Sequence, residues 1–340
     1  MGRAFVVTGG ACAFIVDAIE RGDREKFDYV CFQHEQAAAM GADAVWRVTG
    51  KPGATIATSG PGATNLLTGI ACSHFDSIPA IHITGQVNAA ESAASSGAAV
   101  RQAGFQETDI VAMARPITKY AVQVGSTAEL RRELKKAYEI AMAPRRGPVL
   151  IDVPMNVQKD DAGTTLDLPD ASVPPQIAGS VEGKHRRQIG EFFNSARRPL
   201  VLFGAGIGLS GSHRYLEQWL TERDVPFVAS WNALSYFDHR NERYLGAIGV
   251  YGNRGANYAL QNCDALLVLG SRLDTRQRSS NPPTFAPDAH VLVVDVDETE
   301  LAKLPARYEK ICCDLRACPN CSVPTSCRPS TERGSNTCAP

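Results

Sequence analysis

Short apolar runs alternate along this chain with longer segments of helical spacing, and that alternation restricts the possible folds more than any other feature. Ala4–Thr8, Tyr29–Gln33, Ala54–Ser59, Ala80–Thr84 and Val149–Val153 each have the length and boundaries of a strand, closed by Gly, Pro or polar residues. Between them Gln36–Thr49, Ala63–Ser73 and Thr127–Ala143 carry the apolar period of helices. Such a series predicts an α/β domain, a mainly parallel, doubly wound sheet with helices on both faces. The pattern lapses around Asp160-Asp161, Pro169 and Pro174-Pro175, which predicts a linker. It then resumes with strands Pro199–Phe203, Phe227–Ser230, Ala265–Leu269 and His290–Asp295, and with helices Arg214–Arg223 and Ala256–Gln261. The expected organisation is two doubly wound parallel-sheet domains, residues 1–160 and 185–316, joined by a linker at 161–184. Beyond them, residues 317–340 are expected to be disordered, because Val323 is their sole aliphatic side chain larger than alanine.

A formal net charge of -1 leaves no electrostatic footprint for nucleic acid or an acidic membrane. Nor is there a run of about eighteen apolar residues or an N-terminal leader pattern. The expectation is a soluble, cytoplasmic protein of small-molecule chemistry, without nucleic-acid or membrane partners. Its first strand opens the chain directly, as if the start were clipped. Of ten cysteines, Cys12, Cys31, Cys72, Cys263, Cys312 and Cys313 lie in apolar stretches and are expected to be buried, reduced thiols. Cys318, Cys321, Cys327 and Cys338 lie in the polar tail. Cys318-Pro-Asn-Cys321 has the spacing of a zinc hairpin, but no second pair or His completes four ligands.

Two local motifs could carry chemistry. In Gln33-His34-Glu35-Gln36-Ala37-Ala38-Ala39-Met40-Gly41, a strand end delivers a carboxylate onto the first turn of an alanine-rich helix. Glu35 there is either an acid favoured by the helix dipole, with no chemical task, or a catalytic group. In Thr58-Ser59-Gly60-Pro61-Gly62-Ala63-Thr64-Asn65, a strand runs into a glycine turn that opens a helix, so backbone can approach a ligand closely. No Gly-Lys-Ser/Thr follows, so this is no P-loop. Gly204-Ala205-Gly206-Ile207-Gly208 contains part of a dinucleotide turn without its acidic partner, and a plain strand-to-helix connection explains it as well.

Together with Asp76-Ser77-Ile78-Pro79, Ile83-Thr84-Gly85-Gln86-Val87 and Gly104-Phe105-Gln106-Glu107-Thr108-Asp109, these motifs resemble the pyrimidine-binding domain of thiamine-diphosphate-dependent enzymes of the acetolactate synthase large-subunit type. The resemblance continues through Gly147-Pro148-Val149-Leu150-Ile151-Asp152-Val153-Pro154 and into Gly255-Ala256-Asn257-Tyr258-Ala259 and Gly270-Ser271-Arg272-Leu273-Asp274. It implies a decarboxylase and carboligase, a transferase acting on a small 2-oxo acid such as pyruvate, in branched-chain amino acid biosynthesis. It implies that Glu35 is the catalytic glutamate, bonded to a ring nitrogen of the cofactor's aminopyrimidine. Gly9, Gly10, Gly60, Pro61, Gly62 and Asn65 would line the cofactor, and Phe105 and Gln106 the substrate channel. Phe105 could equally be ordinary core packing. Arg145 and Arg272 match arginines near the flavin of FAD-binding members. A homodimer or higher homo-oligomer is implied, since in this family the cofactor bridges subunits.

The sequence departs from the family in three places. Pro154-Met155-Asn156-Val157 stands where a lysine is usual. Ser230-Trp231-Asn232-Ala233-Leu234 and Val250-Tyr251-Gly252 replace segments beside the flavin, which brings the chain nearer to acetolactate-synthase-like carboligases of cell-surface sugar biosynthesis. No Gly-Asp-Gly is present, so Mg2+ and the diphosphate need a domain missing here or carried on a separate diphosphate-binding chain. The expectation is half a site, inactive alone. A non-catalytic dimerising or regulatory remnant is the alternative.

Overall fold

The computed structural model describes residues 2–97, 99–161, 183–279 and 281–317. The chain divides into two compact units, Met1–Ile177 and Ala178–Pro340. Apart from Asp161, Gly183, Lys184 and Ala317, the expected linker and the expected disordered tail lie outside the described residues, as do the four tail cysteines.

In the first unit six strands form one sheet: β1 (Gly2–Val6), β2 (Phe27–Cys31), β3 (Gly53–Ala57), β4 (Ala80–Gln86), β5 (Tyr120–Gln123) and β6 (Val149–Pro154). Their order is β2-β1-β3-β4-β6-β5, and every pairing is parallel. The second unit repeats the plan with β7 (Pro199–Phe203), β8 (Phe227–Ala229), β9 (Tyr244–Ala247), β10 (Ala265–Leu269), β11 (His290–Asp295) and β12 (Glu309–Cys312). There the order is β12-β11-β10-β7-β8-β9, again wholly parallel. The doubly wound α/β expectation holds for both units. The inner strands are continuous apolar runs because helices cover both faces: all of β6 and all of β10 are buried.

Sequence patterning missed β5, β9 and β12. Each is the outermost strand of its sheet and mostly half-buried, so none carries the unbroken apolar run that marks an inner strand. Among the helices, α1 (Ala13–Arg21) follows β1 and α2 (Glu35–Thr49) follows β2. The single helix expected over Ala63–Ser73 is two, α3 (Pro61–Asn65) and α4 (Leu67–Phe75). They meet at Leu66, whose backbone stays helical while its N–H bonds Ala63 O at 3.2 Å, a tightened turn.

The cysteine expectation needs correction. Cys12 and Cys263 are buried, but Cys31, Cys72 and Cys312 are exposed and Cys313 is half-buried. Cys31 and Cys312 end outer strands, and Cys72 lies on the outward face of α4, so an apolar neighbourhood in sequence did not become a buried one. No helix among the described residues is long and apolar enough to cross a membrane.

Candidate active site

In a doubly wound sheet, ligands enter at the carboxyl ends of the strands where the order reverses. In the first unit that point lies between β1 and β3, since β2 lies on one side of β1 and β3 on the other. The turn after β1 is Gly9-Gly10 and the turn after β3 is Ser59-Gly60-Pro61-Gly62, so the fold carries both sequence motifs to one crevice.

Glu35 arrives from β2. Phe32 N–H still bonds Val6 O at 2.8 Å, after which His34 turns extended and its Nδ1 accepts from Gln36 N–H at 3.2 Å, capping α2. Glu35 is the first residue of that helix, where the dipole favours a carboxylate. The alanines seat the helix tightly. Ala39 lies so close to α4 that a Cβ on Gly69 would come within 2.4 Å of its own, and a Cβ on Gly53 would come within 2.4 Å of Ala42 O.

Glu35 is 7% exposed. Asn65 Nδ2 donates to its Oε2 at 2.9 Å, across thirty residues of sequence. Among the described residues no cation pairs with Glu35, and Oε1 carries no hydrogen bond. That oxygen faces Gly62: a Cβ there would sit 3.2 Å from Oε1 and 2.7 Å from Thr58 Cγ2. Thr58 also holds the other turn, its Oγ1 accepting from Ala11 N–H at 3.2 Å and its side chain lying 2.5 Å from where a Gly9 Cβ would be. A Cβ on Gly10 would meet nothing within 4 Å, which makes this the open side of the crevice. Gly60 is needed for its left-handed φ of 59° and because Gln106 O and Cβ lie 2.7 Å from where its own Cβ would be.

Sequence reasoning passed over Thr58 as a bridge, and also Cys12. The Cys12 thiol lies beneath the first turn and donates to Gly9 O at 3.5 Å. Burial pushes its pKa up against the opposing effect of backbone hydrogen bonding at Gly9, and the charge of Glu35 adds to the rise. Farther along the sheet, on β6, Asp152 accepts from Thr84 Oγ1 at 2.7 Å, Gln123 Nε2 at 2.8 Å and Gln86 Nε2 at 3.1 Å. Burial raises its pKa despite those three donors.

Gly9, Gly10, Glu35, Gly60, Pro61, Gly62 and Asn65 therefore share one crevice, and Gln106 touches it through Gly60. Phe105, beside Gln106, is 81% exposed, which excludes the core-packing explanation. Arg145 and Arg272 belong to different units. Arg145 Nε donates to Ser77 Oγ at 2.9 Å, and Arg272 pairs with Asp274 at 4.0 Å. Two of the divergent segments meet as an exposed corner, with the Trp231 and Tyr251 rings edge to face at 5.3 Å and Arg276 Nη1 donating to Tyr251 Oη at 2.5 Å. Met155 stands where the resemblance would put a lysine, and its neighbour Asn156 accepts from Ala89 N–H through Oδ1 at 2.9 Å.

A buried carboxyl held by a neutral amide, with its second oxygen turned toward bare Gly62, suits a flat heterocycle whose ring nitrogen shares a proton with it. Residues 1–113 match the thiamine pyrophosphate enzyme N-terminal TPP binding domain, and residues 187–319 match the thiamine pyrophosphate enzyme central domain. The chain belongs to the thiamine pyrophosphate enzyme family. Within it the chain is similar to acetolactate synthase large subunits. It is 35% identical over 314 residues to isozyme 2 of Escherichia coli strain K12, covering 92% of this chain and 54% of that protein. The large subunit of Lactococcus lactis is 33% identical, with 92% of this chain and 52% of the relative covered. That of Corynebacterium glutamicum is 34% identical, with 88% and 46% covered. The chain thus spans about half the length of the curated relatives it matches.

Proposed function

We propose that this chain supplies the aminopyrimidine half of a thiamine diphosphate site for decarboxylating a small 2-oxo acid such as pyruvate and transferring the two-carbon unit to a second carbonyl compound. The observation that carries this reading is the Glu35 carboxyl, buried without a cation, anchored by Asn65 and open toward Gly62. Glu35 would hold and move the proton on the pyrimidine nitrogen, while the Gly9-Gly10 and Gly60-Pro61-Gly62 turns would flank the ring. Bound thiamine diphosphate supplies the electron sink for the carbanion left by decarboxylation. Phe105 and Gln106 would steer the second substrate from the rim.

The diphosphate requires Mg2+ and hard oxygen ligands, and no three potential metal-ligating side chains cluster among the described residues. We assign that half to a further domain, on a partner subunit or a separate chain, with a homodimer or larger homo-oligomer as the working assembly. Arg145, which donates to Ser77, and Arg272, which pairs with Asp274, would be the residues to meet FAD, and no step of the proposed chemistry requires it. The Trp231–Tyr251 corner and the Met155 that replaces a lysine favour a second acceptor class, that of cell-surface sugar carboligases, over strict acetolactate formation.

Calorimetric titration with thiamine diphosphate and Mg2+, with and without a separately expressed diphosphate domain from a relative, tests the reading. Binding and pyruvate decarboxylation that appear with the added domain support it, and product analysis then assigns the acceptor. No binding under either condition makes the chain a non-catalytic remnant.

A further inference from the structure

We propose that Glu107 is a positioning residue whose carboxylate ties down the turn that carries Phe105 and Gln106 to the rim of the Glu35 crevice. The inference rests on the reading of that rim as a substrate wall and deepens it, because it names what holds the wall in place.

Residues 99–109 lie between the short helix Ala93–Ser96 and the helix that starts at Ile110, and no strand or helix ladder fixes them. Glu107 takes the place of that ladder. Ala93 N–H reaches both its carboxylate oxygens at 2.9 Å, and Ala103 N–H and Gly104 N–H each donate to Oε2 at 3.2 Å. One side chain thus gathers the amides at both ends of the excursion from 93 to 104. Burial alone would raise the carboxyl's pKa, but those amides overcome it and hold Glu107 below the ordinary carboxylate range, so it stays ionised near neutral pH.

The knotted turn is also wedged from outside. Glu107 N–H closes back onto Gly104 O at 3.2 Å, and a Cβ on Gly104 would strike Val87 at 2.8 Å. Gln86 Nε2 donates to Thr108 O at 3.0 Å and to buried Asp152 at 3.1 Å, which joins the turn to the sheet. Gln106 is held at a φ of 55°, a left-handed conformation that a non-glycine residue rarely keeps unless its surroundings impose it, and its carbonyl is set against Gly60. The product of these restraints is Phe105, a large apolar ring held out to solvent at the tip of a fixed turn. A wall for a reacting carbonyl must be rigid without being part of the core, and this arrangement meets both requirements.

Glu107→Gln keeps size and replaces one acceptor with an NH2 group that faces amide donors. Glu107→Asp keeps charge and shortens the reach. With 4-fluorophenylalanine at position 105 of the full chain, the parent should give one narrow fluorine resonance and both variants several broadened ones. Amides of Ala93, Ala103 and Gly104 should exchange about tenfold faster or more in the variants, while those of α2 keep the parent's protection. In preparations that turn over with an added diphosphate domain, Glu107→Gln should raise the KM for the second carbonyl substrate about tenfold while thiamine diphosphate affinity stays within about twofold. A parent-like fluorine spectrum and exchange pattern in both variants overturns the proposal, as does loosening that spreads through α2. A loosened turn with unchanged kinetics in an active preparation overturns it too. If the parent never turns over, the enzyme reading fails on its own, and the fluorine and exchange results still decide whether Glu107 holds the turn.

Discussion

In both units the first strand lies inside the sheet and the strand order reverses beside it, between β1 and β3 in one and between β7 and β10 in the other. The two crevices are filled differently. In the second unit the glycine turns meet backbone to backbone: Gly206 N–H bonds Gly270 O at 3.0 Å, and a Cβ on Gly204 would lie 2.0 Å from that oxygen. In the first unit the turns are bridged by the Thr58 side chain, and Glu35 and Asn65 reach between them. The interiors differ in the same sense. The first sheet buries Thr55, His82, Thr84, Gln86 and Asp152, whereas the buried polar side chains described in the second unit are Ser212, Ser230 and Ser271, and its core packs Phe203, Phe227 and Phe237 edge to face or tilted. One topology therefore leaves room between turns that side chains separate, and fills it where backbones press together.

Glu35→Gln breaks this contrast most directly. Turnover of a reconstituted enzyme should fall by about a thousandfold or more, in the range expected for loss of a proton-transferring group, while the thermal midpoint moves little. Steady-state kinetics beside a melting curve separate the two effects, and substantial residual activity would sink the assignment of Glu35. On the scaffold side, Phe227→Ala removes a fully buried ring that packs on Phe203, Phe237 and Tyr244. A loss of about 3–5 kcal/mol is expected, with faster hydrogen exchange in β7, β8 and β10 and no change in β1 to β4.

Gly62→Ala sharpens the contrast at the crevice itself. Its Cβ needs the space between Thr58 and Glu35 Oε1, so we expect about 1–3 kcal/mol of strain or lost thiamine diphosphate affinity, read by calorimetry. The equivalent change at open Gly10 should cost the fold far less and register chiefly in ligand affinity.

A further effect concerns pH. Burial pushes His82 down to about 3, where it stays neutral with Nδ1 2.8 Å from Thr55 Oγ1. Unfolding frees it to bind a proton near its ordinary value, so its contribution is complete above about pH 6.5 and declines toward pH 3, at up to about 1.4 kcal/mol per pH unit. Urea titrations between pH 7 and 4 should show that slope. The double variant His82→Leu, Thr55→Val should lose it, and an unchanged slope would place the acid sensitivity elsewhere.

Much of this was legible from sequence. The inner strands could be read because a strand covered on both faces is an unbroken apolar run, as in Ala265–Leu269 and Val149–Pro154. Outer strands such as Tyr120–Gln123 lack that run and were missed. Glu35 and the Gly60–Gly62 turn stood out because a carboxylate at a helix start and glycine at a strand end are local signals. Cys31, Cys72 and Cys312 were misplaced because apolar neighbours in sequence do not say which face of a strand or helix a residue occupies.

The sequence by itself determined the α/β plan, its two sheets and the residues at the ends of the first three strands, since these follow from short-range periodicity and from the backbone freedom of glycine. Only the tertiary structure decided that Asn65 anchors Glu35, that Thr58 braces both turns, that Gly62 must stay bare while Gly10 faces open space, and that Glu107 gathers amides from 93 to 104. Each of these is a contact between chain segments brought together by the sheet, and its energy depends on distances of a few ångströms that no local pattern records.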